Sequence, residues 1–582
     1  MNRYSKHMAS ERFSESTTAS EILEGLVELG VEYVFANLGT DHAPLLEEMA
    51  QWDKAGRRYP ELIVCPHENL AMHMALGYAM ASGRAQAVLV HVDVGTANAA
   101  LGAHNALRTR LPVLLIAGRA PYSSHDEYLG TRDTYVHFIQ EPFDQSAIVR
   151  PFAKWEHNLP DGALAKQALR RAYLMAMDEP KGVSYMTIGR EVLAQRVSVQ
   201  RNLALEGSIA PVRQPGLMQA DVDRIIARLK QAENPLLVTA YSGRNRQTPA
   251  LLGKLAQRAG IRVVEFNPVY LNLAADHPCH GGHDALPFLA DVDLGILCDV
   301  DVPWIPRREK LHPDSYWIQI DSDPVKRDLP LWPFLVHQRH AADSHEALSQ
   351  LLEAWEGAGG DRDERVRARV ARFADERDQR LKALDDRAGR GGSKGAIDPD
   401  HACARVRAHL DGSVLVINEG VRHAYTVLNQ MRLSQGGSMY STGGGGLGYS
   451  SGVALGAKLA RPEQMVVQYV GDGGFYFNNP MAALSVSQMY GIPVLVVVLD
   501  NGGWSAVKEA ARRVYPDGQA VTSDQFHARL NASVNFAQLA HAAGLHGQYV
   551  DDPRELDAGI EAAVTAVRAG RTAVLHIKIA SL

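Results

Sequence analysis

Two hydrophobic segments near the C-terminal end of this 582-residue chain each stop at a short polar run that is rich in glycine. Residues 465–470 are followed by Gly-Asp-Gly-Gly at 471–474, and residues 492–499 by Asp-Asn-Gly-Gly at 500–503. Residues 481–490 between them have the apolar spacing of a helix. The pattern predicts a βαβ unit, in which both polar runs lie at one carboxyl edge of a parallel sheet, where open sheets bind ligands.

The residues at this predicted edge indicate the kind of ligand. Asp472 and Asn501 offer oxygen atoms, the neighbouring glycines permit close backbone approach, and no lysine or arginine is adjacent. Hard divalent cations prefer such oxygen ligands, so the segment predicts a cation that carries a diphosphate. The alternative is that the two runs are ordinary Asp-Gly and Asn-Gly turns.

This pattern resembles the thiamine-diphosphate motif, in which Gly-Asp-Gly is followed some thirty residues later by Asn. Asp500 stands here where the usual motif has the first Asn of a pair. The resemblance implies that Asp472, Asn501 and the carbonyl of Gly503 hold Mg²⁺, which ties the diphosphate to the sheet. It also assigns the surrounding residues to cofactor binding: Gly471, Gly473, Gly474 and Trp504.

A dinucleotide fingerprint is the competing interpretation of the glycines at 443–448. The fingerprint requires a buried strand that feeds straight into the turn, and residues 436–442 are a poor strand. It also leaves Asn501 unexplained. The resemblance instead makes Leu447 the apolar residue that bends the thiamine cofactor from beneath, with Gly445 in the same cofactor-binding loop.

The N-terminal half supplies an acid for such a cofactor. Residues 62–65 are a short apolar strand, and Glu68 follows immediately before a helical pattern. The resemblance implies that Glu68 is the general acid/base, which hydrogen-bonds the pyrimidine ring and lets the cofactor lose its C2 proton. The alternative is an acid that only stabilises the first turn of a helix.

Further polar residues follow predicted strands or loops where acetolactate-synthase-like enzymes line the pocket. Gln140 resembles the glutamine of their Phe-Gln-Glu sequence and is a candidate donor to a substrate carbonyl. Asp41, His42 and His91 are candidates for substrate contact or catalysis, although a single histidine among 23 is more often solvated or in a core. The resemblance places three further residues at the cofactor: Gly39, Thr40 and Asn98.

Residues 504–509 predict the start of a helix over the pocket, directly after the metal loop. Glu509 stands where many relatives have a neutral glutamine. A carboxylate there could carry a proton to a leaving or attacking carbonyl. A surface acid without a catalytic role is the alternative.

The alternation of apolar runs and helical patterns predicts an α/β protein with three doubly wound parallel-sheet domains. We expect a disordered extension at 1–17, a pyrimidine-binding domain at 18–195, a middle Rossmann-like domain at 216–356, a charged helix and linker at 357–396, and a diphosphate-binding domain at 397–582. A formal charge of −6 gives no basic field for nucleic acid, and no apolar run is long enough to span a membrane. Four isolated cysteines are typical of reduced thiols in the cytoplasm.

Over nearly its whole length the chain resembles the superfamily of acetolactate synthase, benzoylformate decarboxylase and 2-hydroxyacyl-CoA lyase. That resemblance implies a homodimer or homotetramer with active sites at the subunit interface. It implies cleavage or formation of a carbon–carbon bond adjacent to a carbonyl, by a lyase or carboligase acting on a 2-hydroxyacyl-CoA or a 2-oxo acid. An acetolactate synthase-like carboligase, a 2-oxo acid decarboxylase and a non-catalytic cofactor-binding subunit are the alternatives.

The predicted middle domain gives mixed indications of a second ligand. Arg244, Arg307 and Arg308 follow predicted strands and could bind the phosphates of ADP or CoA, or could be surface charge. Asp299 and Asp301 stand where the arginine-bearing loop of flavin-binding relatives would be expected, so FAD is not expected here.

Overall fold

The computed structural model describes residues 13–200, 210–359 and 363–581. Helices alternate with the strands of three parallel sheets, which confirms the predicted α/β class. Within those three segments, no helix is both long and apolar enough to cross a membrane.

The first segment contains eight strands and seven helices. Its strands are β1 Phe13–Thr17, β2 Tyr33–Asn37, β3 Glu61–Val64, β4 Gln86–Val90, β5 Val113–Arg119, β6 Ala153–Leu159, β7 Val183–Gly189 and β8 Arg196–Gln200. Its helices are α1 Thr18–Glu28, α2 Ala43–Lys54, α3 Glu68–Ser82, α4 Val92–Thr109, α5 Val136–Ile139, α6 Ala165–Met177 and α7 Arg190–Leu193. Strands β2 to β7 form a six-stranded parallel sheet in the order β3-β2-β4-β5-β7-β6.

Strand β1 corrects part of the predicted extension at 1–17. It pairs antiparallel with β8, so that Thr17 lies opposite Arg196. Pairing of backbone N–H and C=O groups stabilises such a ribbon whatever the side chains are. The segment Phe-Ser-Glu-Ser-Thr has no apolar alternation, which is why the sequence did not predict a strand. Residues 1–12 lie outside the described residues.

The second segment forms a five-stranded parallel sheet in the order β10-β9-β11-β12-β13. Its strands are β9 Pro235–Thr239, β10 Arg262–Glu265, β11 Leu294–Cys298, β12 Tyr316–Asp321 and β13 Gln338–Ala341. Its helices are α8 Gln219–Gln231, α9 Thr248–Ala259 and α10 Ser344–Gly357.

Helix α11, Glu364–Ala388, lies in the range predicted as a charged helix and linker. It is not solvated on all sides, because Phe373 is buried. Arg369 is buried as well and donates to the carbonyls of Ala232, Ala259 and Gly260 at 2.6–3.2 Å. A guanidinium that satisfies the last carbonyls of α9 stabilises that helix end. The charge pattern alone did not reveal this packing.

The third segment contains the predicted βαβ unit. Its strands are β14 Gly392–Ser393, β15 Ala396–Ile397, β16 Leu415–Glu419, β17 Met439–Tyr440, β18 Val466–Gly471, β19 Leu495–Asp500, β20 His546–Val550 and β21 Ala573–Lys578. Its helices are α12 Pro399–Ala408, α13 Ala424–Met431, α14 Ser450–Ala460, α15 Asp472–Phe477, α16 Pro480–Tyr490, α17 Ser505–Val514, α18 Gln519–Thr522, α19 Phe536–Ala542 and α20 Leu556–Arg568.

Strands β18 and β19 are parallel neighbours in a six-stranded sheet of order β17-β16-β18-β19-β21-β20. Their residues are almost all buried, as expected for strands covered on both faces. Asp472 follows β18 directly, and Asp500 is the last residue of β19. The sheet therefore brings the two predicted polar runs to one edge.

The described chain divides into two compact units. The first contains the residues up to 212 together with 444–462 and 477–492, and the second contains the remainder. Within the first unit, α3 and α14 pack closely: a Cβ on Gly77 would lie 2.1 Å from the carbonyl oxygen of Val453. The three parallel sheets fall inside the three predicted domain ranges, whose boundaries stay predictions.

Candidate active site

The loop after β19 is held in a conformation that favours glycine. The N–H of Gly502 donates to Asp500 Oδ1 at 2.9 Å, and the N–H of Gly503 donates to Asn501 Oδ1 at 3.3 Å. Gly502 and Gly503 have φ angles of 86° and 152°. The loop therefore turns sharply and keeps Asp500 and Asn501 at the edge of the sheet, where both are buried.

Close packing joins this loop to the Gly-Asp-Gly-Gly run. A Cβ on Gly473 would lie 2.5 Å from Cδ1 of Trp504, and a Cβ on Gly503 would lie 2.1 Å from the carbonyl oxygen of Ala528. Neither position accepts a side chain without movement of its neighbours. The predicted cofactor residues Gly473, Gly503 and Trp504 are thus brought together in the second unit.

Two carboxylates lie close together at this edge. Burial and the negative charge of Asp500 raise the pKa of Asp472 to about 6. Burial alone would also raise the pKa of Asp500, but hydrogen bonds from His576 and Lys578 lower it to about 2. A divalent cation would stabilise two such charges, and the carboxylate, amide and carbonyl oxygens here are the ligands that Mg²⁺ prefers. The residues present therefore fit the predicted metal site.

Glu68 is the first residue of α3 and is 7% exposed. Asn98 Nδ2, from α4, donates to Glu68 Oε2 at 3.0 Å. A Cβ on Gly95 would lie 3.3 Å from Glu68 Oε1, so the start of α4 approaches the carboxylate closely. The structure thus brings the predicted acid/base Glu68 and the predicted cofactor residue Asn98 into direct contact in the first unit.

The glycine-rich loop at 444–448 belongs to this first unit. Asn105 Nδ2 donates to the carbonyl of Gly446 at 3.0 Å, and Asn69 Nδ2 donates to the carbonyl of Gly448 at 3.3 Å. Two amides on α3 and α4 therefore fix the backbone on either side of Leu447. Strand β17 has only two residues, which agrees with the rejection of a dinucleotide fingerprint.

A second group in the first unit contains the predicted substrate residues, of which Asp41 and His42 are buried and His91 and Gln140 are half-buried. His91 Nδ1 donates to Asp41 Oδ1 at 2.5 Å, and His91 Nε2 lies 3.3 Å from Gln140 Oε1. A Cβ on Gly39 would lie 2.0 Å from His91 Nδ1, so only glycine leaves room for this ring. His42 is fully buried, and its Nδ1 accepts the N–H of Gly39 at 3.0 Å.

The charges in this group follow from burial and pairing. Burial alone would raise the pKa of Asp41, but the nearby His42 and the hydrogen bond from His91 lower it. The hydrogen bond to Asp41 in turn raises the pKa of His91. Burial lowers the pKa of His42. The arrangement therefore stabilises a charged Asp41–His91 pair.

Comparison with known proteins agrees with this geometry in both halves of the chain. Residues 16–148 match the family described as "Thiamine pyrophosphate enzyme, N-terminal TPP binding domain", and residues 422–577 match "Thiamine pyrophosphate enzyme, C-terminal TPP binding domain". The chain belongs to the thiamine pyrophosphate enzymes. The predicted family, fold class and thiamine diphosphate cofactor are thereby confirmed, and the chain is an enzyme. Binding of Mg²⁺ and of ADP or CoA stays a prediction.

Similar proteins cover nearly the whole of this thiamine pyrophosphate enzyme. The acetolactate synthase large subunit of Lactococcus lactis is 22% identical, covering 94% of this chain and 90% of its own. The benzoylformate decarboxylase of Pseudomonas aeruginosa is 24% identical, covering 95% and 97%. The solved structure of the thiamine diphosphate-dependent 4-hydroxybenzoylformate decarboxylase of Rhodococcus jostii RHA1 has a TM-score of 0.79 at 20% identity, covering 97% and 100%. The last likeness shows a shared fold.

Two partners of the predicted residues in this enzyme were not predicted. Arg422 Nη2 lies 2.5 Å from Glu509 Oε1, so that carboxylate, which lies on α17, already has a cationic partner. His137 Nε2 lies 3.1 Å from Thr40 Oγ1. Each partner is far away in the sequence and belongs to no motif, so no sequence signal pointed to it. The predicted role of Glu509 stays a prediction.

The middle sheet of this enzyme holds its polar groups in internal contacts. Arg244, a predicted phosphate ligand, donates to Asp299 Oδ2 at 2.9 Å. Arg307 and Arg308 lie exposed on a short turn, and binding of ADP or CoA there stays a prediction.

A cluster of Glu265, His280 and His283 lies at the end of β10 with its ligand atoms within 4.8 Å of one another. His280 Nδ1 accepts the N–H of Gly282 at 3.2 Å, and its Nε2 donates to Glu265 Oε2 at 2.9 Å. The proton on Nε2 is therefore used in a hydrogen bond to the carboxylate. We interpret this cluster as a hydrogen-bonded core network, because Nε2 is not available as a metal ligand in that tautomer.

Proposed function

We propose that this thiamine pyrophosphate enzyme acts on a 2-oxo acid and cleaves or forms a carbon–carbon bond next to its carbonyl. Of the alternatives from the sequence, this favours a decarboxylase or an acetolactate synthase-like carboligase over a 2-hydroxyacyl-CoA lyase. The proposal rests on the Asp41–His91 pair. The buried carboxylate of Asp41 accepts a hydrogen bond from one imidazole nitrogen of His91, and the other nitrogen lies near Gln140 Oε1.

A cationic His91 is a suitable partner for a 2-oxo acid. Both ring nitrogens lie near acceptor oxygens, and the protonated imidazole donates to both. The contact of Nε2 with Gln140 Oε1 is long, at 3.3 Å, and the carboxylate of a 2-oxo acid would replace it as the acceptor of a charge-assisted hydrogen bond from Nε2. The acyl end of a 2-hydroxyacyl thioester has no carboxylate next to the reacting carbon. Gln140 is proposed to donate to the substrate carbonyl.

Glu68 is the proposed residue that holds and moves a proton. Its carboxylate accepts from Asn98, which limits its rotation and directs the second oxygen. Thiamine diphosphate, when bound, supplies an electron sink that stabilises a carbanion next to a carbonyl. Glu68 would exchange a proton with the pyrimidine ring of the cofactor.

Magnesium is proposed to be held by Asp472, Asn501 and the carbonyl oxygen of Gly503. Two observations support this assignment. Hard oxygen donors lie at one edge of the sheet, and two carboxylates lie close together there. The glycines at 471, 473 and 474 would leave room for the diphosphate.

A homodimer or homotetramer is proposed as the working assembly. The support is a run of large apolar side chains that are exposed in the first unit: Leu129, Tyr135, Phe138, Ile139 and Phe143. Several exposed large apolar side chains within a short stretch of sequence are typical of an interface. A sedimentation equilibrium mass of a single chain would contradict the proposal. Residence in the cytoplasm stays a prediction, supported by four cysteines that are buried and free.

Incubation with a substrate panel tests the reaction. The purified protein, supplied with Mg²⁺ and thiamine diphosphate, is mixed with pyruvate, benzoylformate or a 2-hydroxyacyl-CoA, and products are identified by mass spectrometry. We expect release of CO₂ with an aldehyde or a ligated hydroxyketone from a 2-oxo acid. Formyl-CoA from the thioester, or no product from any substrate, would contradict the proposal.

The same substrate panel, run with the Asp41→Asn variant, tests whether the Asp41–His91 pair contributes to substrate recognition. The amide cannot stabilise a cationic His91, so KM for the productive 2-oxo acid should rise about tenfold or more, the scale of a hydrogen bond to a charged group. Asp53→Asn is the matched control, because Asp53 is exposed on α2. An unchanged KM for Asp41→Asn would argue against substrate recognition by His91.

A further inference from the structure

Asp500 has a set of partners from β21 that the metal site itself does not require. In the parallel register Asp500 lies opposite Lys578, and Val498 lies opposite His576. Because side chains alternate along a strand, His576 and Lys578 project from the same face of β21. Lys578 Nζ lies 3.0 Å from Asp500 Oδ1, and His576 Nε2 lies 2.9 Å from Asp500 Oδ2.

The tautomer of His576 follows from its other nitrogen. The backbone N–H of Phe536 donates to His576 Nδ1 at 3.2 Å, so Nδ1 carries no proton. His576 is therefore a neutral ring that donates from Nε2 to Asp500. The formal positive charge beside Asp500 comes from Lys578, whose side chain is 22% exposed, while that of Asp500 is 9% exposed.

The charge count at this edge distinguishes Asp500 from Asp472. Asp500 and Lys578 together carry no net charge. Asp472 is therefore the one of the two aspartates whose negative charge a metal ion would balance. Asp500 also accepts the N–H of Gly502, so the atom that binds Lys578 shapes the start of the predicted metal loop as well. A diphosphate is an anion, and an uncompensated second carboxylate beside it would repel it.

We propose that Lys578 is a positioning residue of the cofactor site: it neutralises Asp500 and holds it against the sheet, so that a second acid can stand next to a metal-bound diphosphate. Lys578 acts through Asp500 and is not itself a ligand of the metal. The inference rests on the proposed metal–diphosphate site and goes beyond it, because it assigns a function to the Asp500–Lys578–His576 arrangement of this chain.

Calorimetric titration of the apoprotein with thiamine diphosphate, at saturating Mg²⁺, tests the inference. Lys578→Met should weaken binding about tenfold or more, since Asp500 would face the diphosphate without compensation. The double variant Asp500→Asn, Lys578→Met should bind within about threefold of the unmodified protein, because acid and base are removed together. Lys578→Arg, which keeps the charge, should also bind normally.

Three outcomes would overturn the inference. The first is normal affinity in Lys578→Met. The second is a double variant that binds as weakly as Lys578→Met, and the third is an unmodified protein that does not bind the cofactor. Lys382→Met is the matched control, because Lys382 is exposed on α11.

The melting temperature of each apoprotein separates this role from a purely structural one. A lower melting temperature with unchanged affinity would show that Lys578 only stabilises the fold, and would also overturn the inference. If Lys578→Met does not fold, the inference is decided by the double variant and Lys578→Arg, which must both bind normally. All of these readouts measure binding, so failure of the substrate panel alone would leave the inference standing and would reject only the proposed reaction.

Discussion

Glu68→Gln is expected to lose at least about 100-fold in kcat, the scale of a lost general acid/base, while it binds the cofactor nearly as well as the unmodified enzyme. The glutamine amide has nearly the same shape and still accepts a hydrogen bond from Asn98, but it cannot take up and return a proton. Turnover is measured with the productive substrate of the panel, and cofactor affinity by calorimetry on the same preparations.

Glu61→Gln provides a matched control for that result. Glu61 is exposed at the start of β3, in the same unit and a few residues away along the chain, and its replacement should leave both quantities unchanged. A Glu68→Gln enzyme with ordinary turnover would reject the proton-transfer role. A variant that loses cofactor affinity and kcat together would instead indicate that Glu68 contributes mainly to binding.

Asp472→Ala is expected to abolish the Mg²⁺-dependent part of cofactor binding. The variant removes a buried carboxylate at the first position of α15, and with it the charge that the metal would balance. Loss of a charged metal ligand should weaken cofactor binding at saturating Mg²⁺ by about 100-fold or more. The measurement is a pair of calorimetric titrations, one with Mg²⁺ and one with a chelator present.

The control for Asp472→Ala is Asp378→Ala, an exposed acid on α11, whose loss should change neither titration. Equal affinities for Asp472→Ala and the unmodified enzyme would contradict the metal role. A fall in affinity that is the same with and without Mg²⁺ would also contradict it, because the role requires coupling between the metal and the diphosphate.

The local parts of the site could be predicted from the sequence because they depend on neighbouring residues. An apolar strand, a glycine-rich polar run, a helix and a second strand predict a βαβ unit, and such units bring Asp472 and the end of β19 to one edge. The same reasoning predicted Glu68 at the start of a helix. The match of both ends of the chain to thiamine pyrophosphate enzymes confirmed what those short motifs indicated.

Contacts between distant residues were not predictable in the same way. Asp41 and His91 are separated by fifty residues, and only the packing of the first sheet places Nδ1 against Oδ1. Strand β1 was assigned to a disordered extension, because its polar residues gave no apolar alternation. Arg369 was read as part of a solvated charge run, although three backbone carbonyls surround it.

The amino-acid sequence by itself determined the α/β class, the acid at the start of α3 and the carboxylate and amide groups at the edge of the sheet that contains β18 and β19, since these follow from periodicity and from residues that are adjacent in the chain. Only the tertiary structure decided which charges are compensated. Lys578 reaches Asp500, and Asp41 reaches His91, through strand register and buried packing, and the free energy of a charge depends on those surroundings rather than on the identity of the residue.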